Sequence, residues 1–255
     1  MKKVLVTGGA GFIGSHLVDE LVKRGYEVTI FDNLDSQVHE NSKIPVYLNK
    51  NCRFIKADLR NYDILKIAVL DSQVIFHLAA AVGVGQSQYL IKKYVDVNIG
   101  GTANLIDILV NNKHKVEKLI LAASMSSYGE GRYECSKCGG VRVSLRSEKQ
   151  MKNGDWELNC PHCKRILKPV ATDENTTLNC NSIYGLTKKT QEELVLSIGK
   201  AYQIPTVALR YFNVYGPRQS LSNPYTGVVA IFMSRLNNNN PPVIYEDGLQ
   251  TRDFI

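Results

Sequence analysis

Nowhere does the chain hold the eighteen or so consecutive apolar residues that a bilayer-spanning helix requires. Its opening MKKVLVTGG runs straight into a glycine turn, without the apolar core and cleavage site of a secretory leader. Both absences predict a soluble, cytoplasmic protein with no membrane partner. A uniform excess of one charge is missing too. The formal net charge is +7, yet residues 131–170 alone hold nine Lys/Arg against four Asp/Glu. If four thiolates there bind one Zn²⁺, the local excess falls to about +3, too little to predict a nucleic-acid partner. Six cysteines without a leader point to a reducing compartment and to metal binding rather than disulfides. What remains is ordinary: 255 residues, 44% hydrophobic, enough for one large domain or one domain with an accessory piece.

Lys3 to Thr7 (KVLVT) is a β-branched apolar run of the kind found in buried parallel strands. It leads into Gly8, Gly11 and Gly14, then an amphipathic segment from Phe12 to Arg24 with Ile13, Leu17 and Leu21 at helical spacing. A second strand, Glu27 to Phe31, ends on Asp32. Strand, glycine turn, helix, strand and acid form a dinucleotide-binding context, because glycines let backbone approach a pyrophosphate at a helix N-terminus. Asp32 can accept from an adenosine ribose and repel a 2′-phosphate, which favours NAD over NADP; the alternative is a solvated loop aspartate beside Asn33.

The alternation continues through a strand at Arg53 to Lys56 reaching Asp58, a helix from Tyr62 to Leu70, and a strand from Gln73 to Leu78 followed by Ala79, Ala80 and Ala81. One long helix is expected from about Leu90 to Asn112, with Asn98 inside it, then a strand from Lys118 that leads into Ser124. A helix from Ser182 to Tyr202, a strand from Thr206 to Arg210 and an apolar helix from Val228 to Leu236 complete the pattern. The fold class is therefore α/β: a doubly wound Rossmann parallel sheet, interrupted by the cysteine-bearing segment at 130–170. No turn or helix signal marks Ile255, so the chain is expected to be truncated there.

Tyr184 and Lys188 are four apart and share a helix face, where an ammonium and an oxidised nicotinamide would lower the tyrosine pKa and make it a usable base. Ser124 could hydrogen-bond the same substrate hydroxyl; the bland reading of Tyr184 and Lys188 is a surface pair. Between Ser124 and this helix lie Cys135, Cys138, Cys160 and Cys163, two Cys-x-x-Cys pairs matching a zinc ribbon, with rubredoxin-like iron as the alternative. His162 reads as a bystander, Cys52 and Cys180 as free thiols.

These pieces resemble the extended short-chain dehydrogenase/reductases, in particular the NAD-dependent nucleotide-sugar epimerase/dehydratase family. The resemblance rests on Thr7 to Gly14, Asp32-Asn33-Leu34, Ala57-Asp58-Leu59, His77 to Ala80, Asn98, Ser124 to Gly129, Tyr184 with Lys188, Arg210 to Pro217 and Arg252 to Ile255. It implies that Gly8, Gly11, Phe12, Ile13, Gly14, Asp32, Asn33, Asp58, Leu59, Leu78, Ala79, Ala80, Asn98, Tyr184 and Lys188 contact NAD. It also implies a catalytic set of Ser124, Tyr184 and Lys188, with Ser124, Ser126, Asn213, Val228 and Arg252 touching a nucleotide sugar, in a homodimer whose chain divides into an NAD-binding part at 1–129, a zinc-ribbon insertion at 130–170, the Rossmann continuation with its catalytic helix at 171–212, and a partial C-terminal substrate-binding domain, the nucleotide-sugar-binding region, at 213–255. The 4,6-dehydratases of this family carry an acid and a base where this sequence has Met125 and Ser126, which disfavours water elimination and leaves epimerisation through a 4-keto intermediate. The segments Asp32 to His39 and Ala81 to Gln86, with the cysteine insertion, resemble a group assigned as dTDP-L-rhamnose 4-epimerases. UDP-glucose/UDP-galactose 4-epimerases are the close competitor, and another nucleotide-sugar oxidoreductase or dehydratase is a further reading. A reading from a different class is a catalytically inactive NAD-binding scaffold whose ribbon is an interaction module.

Overall fold

The computed structural model describes residues 1–255 except Ser222, Pro224 and Thr226. The strands are β1 (Lys3–Thr7), β2 (Glu27–Asp32), β3 (Arg53–Lys56), β4 (Val74–His77), β5 (Lys118–Ser124), β6 (Arg132–Cys135), β7 (Gly139–Val141), β8 (Lys168–Val170) and β9 (Thr206–Tyr211). The helices are α1 (Phe12–Lys23), α2 (Tyr62–Leu70), α3 (Val84–Ser87), α4 (Ile91–Tyr94), α5 (Gly101–Asn111), α6 (Glu148–Lys152), α7 (Ile183–Ala201) and α8 (Val228–Asn237). None of them is long and apolar enough to cross a membrane.

β1 shows why the apolar run carries no alternation. Val4 and Val6 pack with Val18 and Leu21 of α1 on one side, while Leu5 packs with Leu105 and Ile108 of α5 on the other. Successive side chains point to opposite faces, and here helices cover both. Six parallel strands follow the order β3-β2-β1-β4-β5-β9. The order reverses between β1 and β4, which opens a crevice at the carboxyl ends of the strands. Thr7, Asp32, His77 and Ser124 are the last residues of their strands and stand along that edge.

The long helix expected from Leu90 to Asn112 differs in its interior. α4 passes into a π-helical turn, Val95–Gly100, before α5 begins. The cause lies in Asn98, whose Oδ1 accepts from Ala81 N at 2.7 Å and whose Nδ2 donates to Ala81 O at 3.1 Å and to Thr187 Oγ1 at 3.0 Å. The extra residue in the turn turns this amide inward, clamping the end of the β4 loop to α7.

β7-β6-β8 form a separate antiparallel sheet within the segment between Ser124 and α7. Its small interior contains Val143, Leu158, Leu167, Cys135 and Cys160. After α8 the chain returns to the main sheet's edge. Asn213 N donates to Asp253 O at 3.3 Å, Ile255 N to Asn213 O at 3.1 Å and Tyr215 N to Ile255 O at 3.1 Å.

Candidate active site and candidate metal centre

A cleft of about 520 Å³ lies over the carboxyl edge of the sheet. Its floor is the glycine turn. Gly8 has φ +71°, and a Cβ there would stand 2.7 Å from Ala79 N; a Cβ on Gly14 would stand 2.2 Å from Gly8 O. Only hydrogen fits at these two positions. Gly11 begins α1 with no side-chain cap, so the first N–H groups of that helix are left for an anion in the cleft. Asp32 is 8% exposed. Its Oδ2 accepts from Ala10 N at 3.0 Å and its Oδ1 from Leu34 N at 2.9 Å, which fixes the carboxylate at the cleft wall. Asn33 Nδ2 donates to Asp58 Oδ2 at 2.9 Å, and Arg60 beside Asp58 holds that carboxyl at about 2. Phe12, Ile13, Leu59, Leu78, Ala79 and Ala80 line the same space, and the dimensions and donors fit an NAD molecule.

Ser124 ends β5, and its Oγ accepts from Ser126 N at 3.1 Å, capping the turn Met125–Tyr128. Ser124 and Tyr184 line the same cleft. α7 delivers Tyr184 because Ser182 caps it, Ser182 Oγ accepting from Gly185 N at 3.0 Å, and because Ser87 Oγ of α3 accepts from Tyr184 N at 3.0 Å. Burial pushes the Tyr184 phenol up and Ser124 pulls it back down. Lys188, 3% exposed, is brought down to about 8 by burial. Beneath it His77 is pushed to about 3, first by burial and then by Lys188. Thr102 Oγ1 donates to Asn98 O at 2.6 Å, so His77 Nε2, 3.0 Å away, donates to it, and Nδ1 accepts from Thr7 Oγ1 at 2.8 Å. The catalytic turn is tied to the helix through Arg210, which donates to Tyr128 Oη at 2.8 Å and forks onto Glu192 of α7 at 2.6 and 3.0 Å.

Ser126 and Val228 face the cleft, as does Asn213, whose amide is engaged with Asp253 O at 2.8 Å. Two sequence candidates stand apart from the cleft lining. Asn98 acts from beneath, through Ala81 and Thr187, and Arg252 is exposed with its Nη1 on the neighbouring Thr251 O at 2.7 Å. Sequence reasoning missed an amide chain across the cleft mouth. Tyr94 Oη donates to Gln86 Oε1 at 3.0 Å, Gln86 Nε2 to Gln37 Oε1 at 2.8 Å, and Gln37 Nε2 to Asn223 Oδ1 at 3.2 Å. Partners up to 186 positions apart leave no spacing signal.

The four cysteine Sγ atoms of Cys135, Cys138, Cys160 and Cys163 lie within 4.8 Å of one another. A tetrahedral Zn²⁺ with bonds of ~2.3 Å holds its sulfurs about 3.8 Å apart, so the cluster fits such an ion with small adjustment. Lys137 N points at Cys135 Sγ at 3.4 Å, and such backbone donors bring that thiol down to about 6. Cys138 is driven up to about 12, first by hydrogen bonding to Cys163 and then by desolvation. Gly139, at φ +74°, makes the knuckle turn. By contrast, burial pushes the Cys52 thiol up to about 11 and raises Cys180, leaving both inert.

The profile of the family described as "NAD dependent epimerase/dehydratase family" matches residues 4–141 and 161–255 and passes over 142–160 within the cysteine segment. A dTDP-L-rhamnose 4-epimerase of Burkholderia thailandensis is 36% identical over 100% of this chain and 69% of its own length. A putative UDP-glucose 4-epimerase of Methanocaldococcus jannaschii is 34% identical over 99% of this chain and 68% of its own length. Among solved structures, UDP-glucuronic acid 4-epimerase from Bacillus cereus, in complex with UDP-glucuronic acid and NAD, superposes with a TM-score of 0.75 at 31% identity, covering 99% of this chain and 68% of that one.

Proposed function

The chain belongs to the NAD-dependent epimerase/dehydratase family and is an enzyme of the nucleotide-sugar 4-epimerase kind, and on that footing we propose that it inverts C4 of dTDP-L-rhamnose. The carrying observation is that Ser124, Tyr184 and Lys188 line the same cleft as the glycine cradle of Gly8, Gly11 and Gly14. NAD held over Gly8, Gly11 and Gly14 with Asp32 at the cleft wall would supply reversible two-electron hydride chemistry, with no net redox change over the cycle. Tyr184 takes the proton of the sugar 4-hydroxyl and gives it back. Ser124 donates to the same oxygen and orients it. Lys188, with a pKa of about 8, is mostly charged at neutral pH and offsets the phenolate from one turn along the helix. Met125 and Ser126 carry no carboxyl group, so neither supports acid/base work at neighbouring carbons. The Cys135, Cys138, Cys160 and Cys163 set is read as holding a structural Zn²⁺, whose chemistry there is to tie four thiolates and fold the ribbon.

The same reading divides the chain at 129, 170 and 212, and takes the protein as a homodimer on the exposed apolar side chains Leu90, Ile91 and Val95. Light scattering giving a monomer would withdraw the dimer. Support for the dTDP sugar comes from the 36% identical relative; the 34% identical one makes UDP-glucose and UDP-galactose the second substrates to try. The test is incubation with dTDP-L-rhamnose, UDP-galactose and UDP-glucose, reading C4 configuration by NMR. Inversion of the first names the substrate, inversion of the UDP sugars substitutes the second reading, and no inversion of any rejects the proposal. Tyr184→Phe is expected to cut turnover by about 10³-fold while NAD still binds; near-normal epimerisation by this variant rejects Tyr184 as the base.

A further inference from the structure

Arg146 leaves the ribbon and reaches a distant part of the chain. Its guanidinium forks onto Glu246, Nη1 to Oε2 at 2.9 Å and Nη2 to Oε1 at 2.7 Å, while Nη1 also donates to Trp156 O at 2.9 Å. The two side chains are 17% and 22% exposed, unlike the open ion pairs elsewhere on the surface. Bidentate pairing at this burial fixes direction as well as distance. Glu246 itself sits at φ +57°, a backbone region that non-glycine residues avoid unless their surroundings hold them there. Beyond it the chain runs to Phe254, which lines the cleft, and to the backbone bonds that join 253–255 to Asn213 and Tyr215.

On its other side the ribbon grips the catalytic turn. Asn179 Nδ2 donates to Val143 O at 3.2 Å, Arg142 Nη2 donates to Asn179 Oδ1 at 2.9 Å, and Asn179 N donates to Ser127 O at 3.0 Å. The fit there is close, since a Cβ on Gly129 would stand 2.1 Å from Asn179 O. Val143, three residues before Arg146, is buried in the ribbon's interior with Leu158, Leu167, Cys135 and Cys160. Both grips therefore start from one small body whose interior holds two cysteines among five buried side chains.

We propose that the cysteine ribbon is a bracket across the active site, with Arg146 a positioning residue that holds the Glu246–Ile255 segment, and through it Asn213 and Phe254, at a set place relative to Ser124. Its specificity role rests on the nucleotide-sugar reading; its structural coupling does not. Arg146 touches no reacting atom in this scheme. It sets where the sugar-side wall stands.

The experiment compares the full-length wild type, Arg146→Ala and the charge-swapped pair Arg146→Glu with Glu246→Arg. Hydrogen exchange of residues 243–255 is read alongside KM and kcat. Arg146→Ala is expected to speed exchange across 243–255 about tenfold and raise KM for the nucleotide sugar about tenfold, with kcat within about twofold and NAD affinity unchanged. The swapped pair is expected to restore part of both. Removing metal from the wild type with a chelator should speed exchange in the same segment, beyond the ribbon itself. Unchanged exchange at 243–255 in Arg146→Ala, or chelation effects confined to residues 132–170, would overturn the bracket. If the wild type turns over no nucleotide sugar, the proposed function fails, and the exchange measurements still decide the coupling.

Discussion

The main sheet and the ribbon solve the same problem by different means. β1 alone buries Val4, Leu5 and Val6 between two helical layers, and the core on one face of the sheet is continuous from Leu5 to Ile204. The ribbon buries three aliphatic side chains, Val143, Leu158 and Leu167, with two cysteines. A core that small cannot offset the entropy of ordering its own loops, and a tetrathiolate ion is the usual remedy. On the proposed Zn²⁺ reading one region is held by area and the other by a point, so they should break differently.

The largest effect is expected in the sheet, at one atom. Gly14→Ala places a methyl group 2.2 Å from Gly8 O. NAD affinity should fall at least about 100-fold by fluorescence titration, while the metal content of the ribbon stays the same. Loss of both together would show the two regions to be one cooperative body. Next comes the ribbon. Cys160→Ser should abolish the proposed metal binding and expose residues 132–170 to proteolysis, with the sheet's unfolding free energy shifted by no more than about 2 kcal/mol. A single transition with the sheet equally destabilised would erase the distinction.

The smallest effect concerns a charge inside the sheet layer. Lys188 falls from 10.5 to about 8 on folding, so between those values the unfolded chain holds a proton that the ligand-free folded chain does not. Stability therefore rises with pH through this window, and the cost is present in full below about 8. Lys188→Met should flatten the slope and stabilise the ligand-free protein near pH 7 by on the order of 1–3 kcal/mol, measured by urea unfolding at about pH 7.5 and 9.5. The gain would come with lost turnover, as expected where an active site stores strain.

The sheet was readable because its physics is local. A strand covered on both faces must be apolar throughout, a turn at a pyrophosphate must be glycine, and Tyr184 with Lys188 share a face by helical geometry alone. The cysteine spacing was readable for the same reason. The features that escaped depend on partners far apart in sequence. Asn98 lies inside what reads as uninterrupted helix, and only its bonds to Ala81 and Thr187 explain the π-helical turn. Gln37, Gln86 and Asn223 meet through folding and carry no periodicity. Arg252, placed near the substrate by family resemblance, is turned to its own neighbour's carbonyl, and the arginine that does reach across, Arg146, sits in a segment the family profile passes over.

The pairing of Arg132 with Val170 at the base of the ribbon has a kinetic consequence. Ser124 and Tyr184 are sixty positions apart along the chain, and their contact needs that whole loop to close. Once β6 and β8 have met, the stretch left to order shrinks to about twenty positions, and the closure entropy falls by roughly 0.9 kcal/mol. On the proposed reading that Cys135, Cys138, Cys160 and Cys163 hold an ion, metal capture would shorten the diffusive search between the two halves of the active site, and a chain folding without that ion should assemble Ser124 against Tyr184 several-fold more slowly even where the finished sheet is the same.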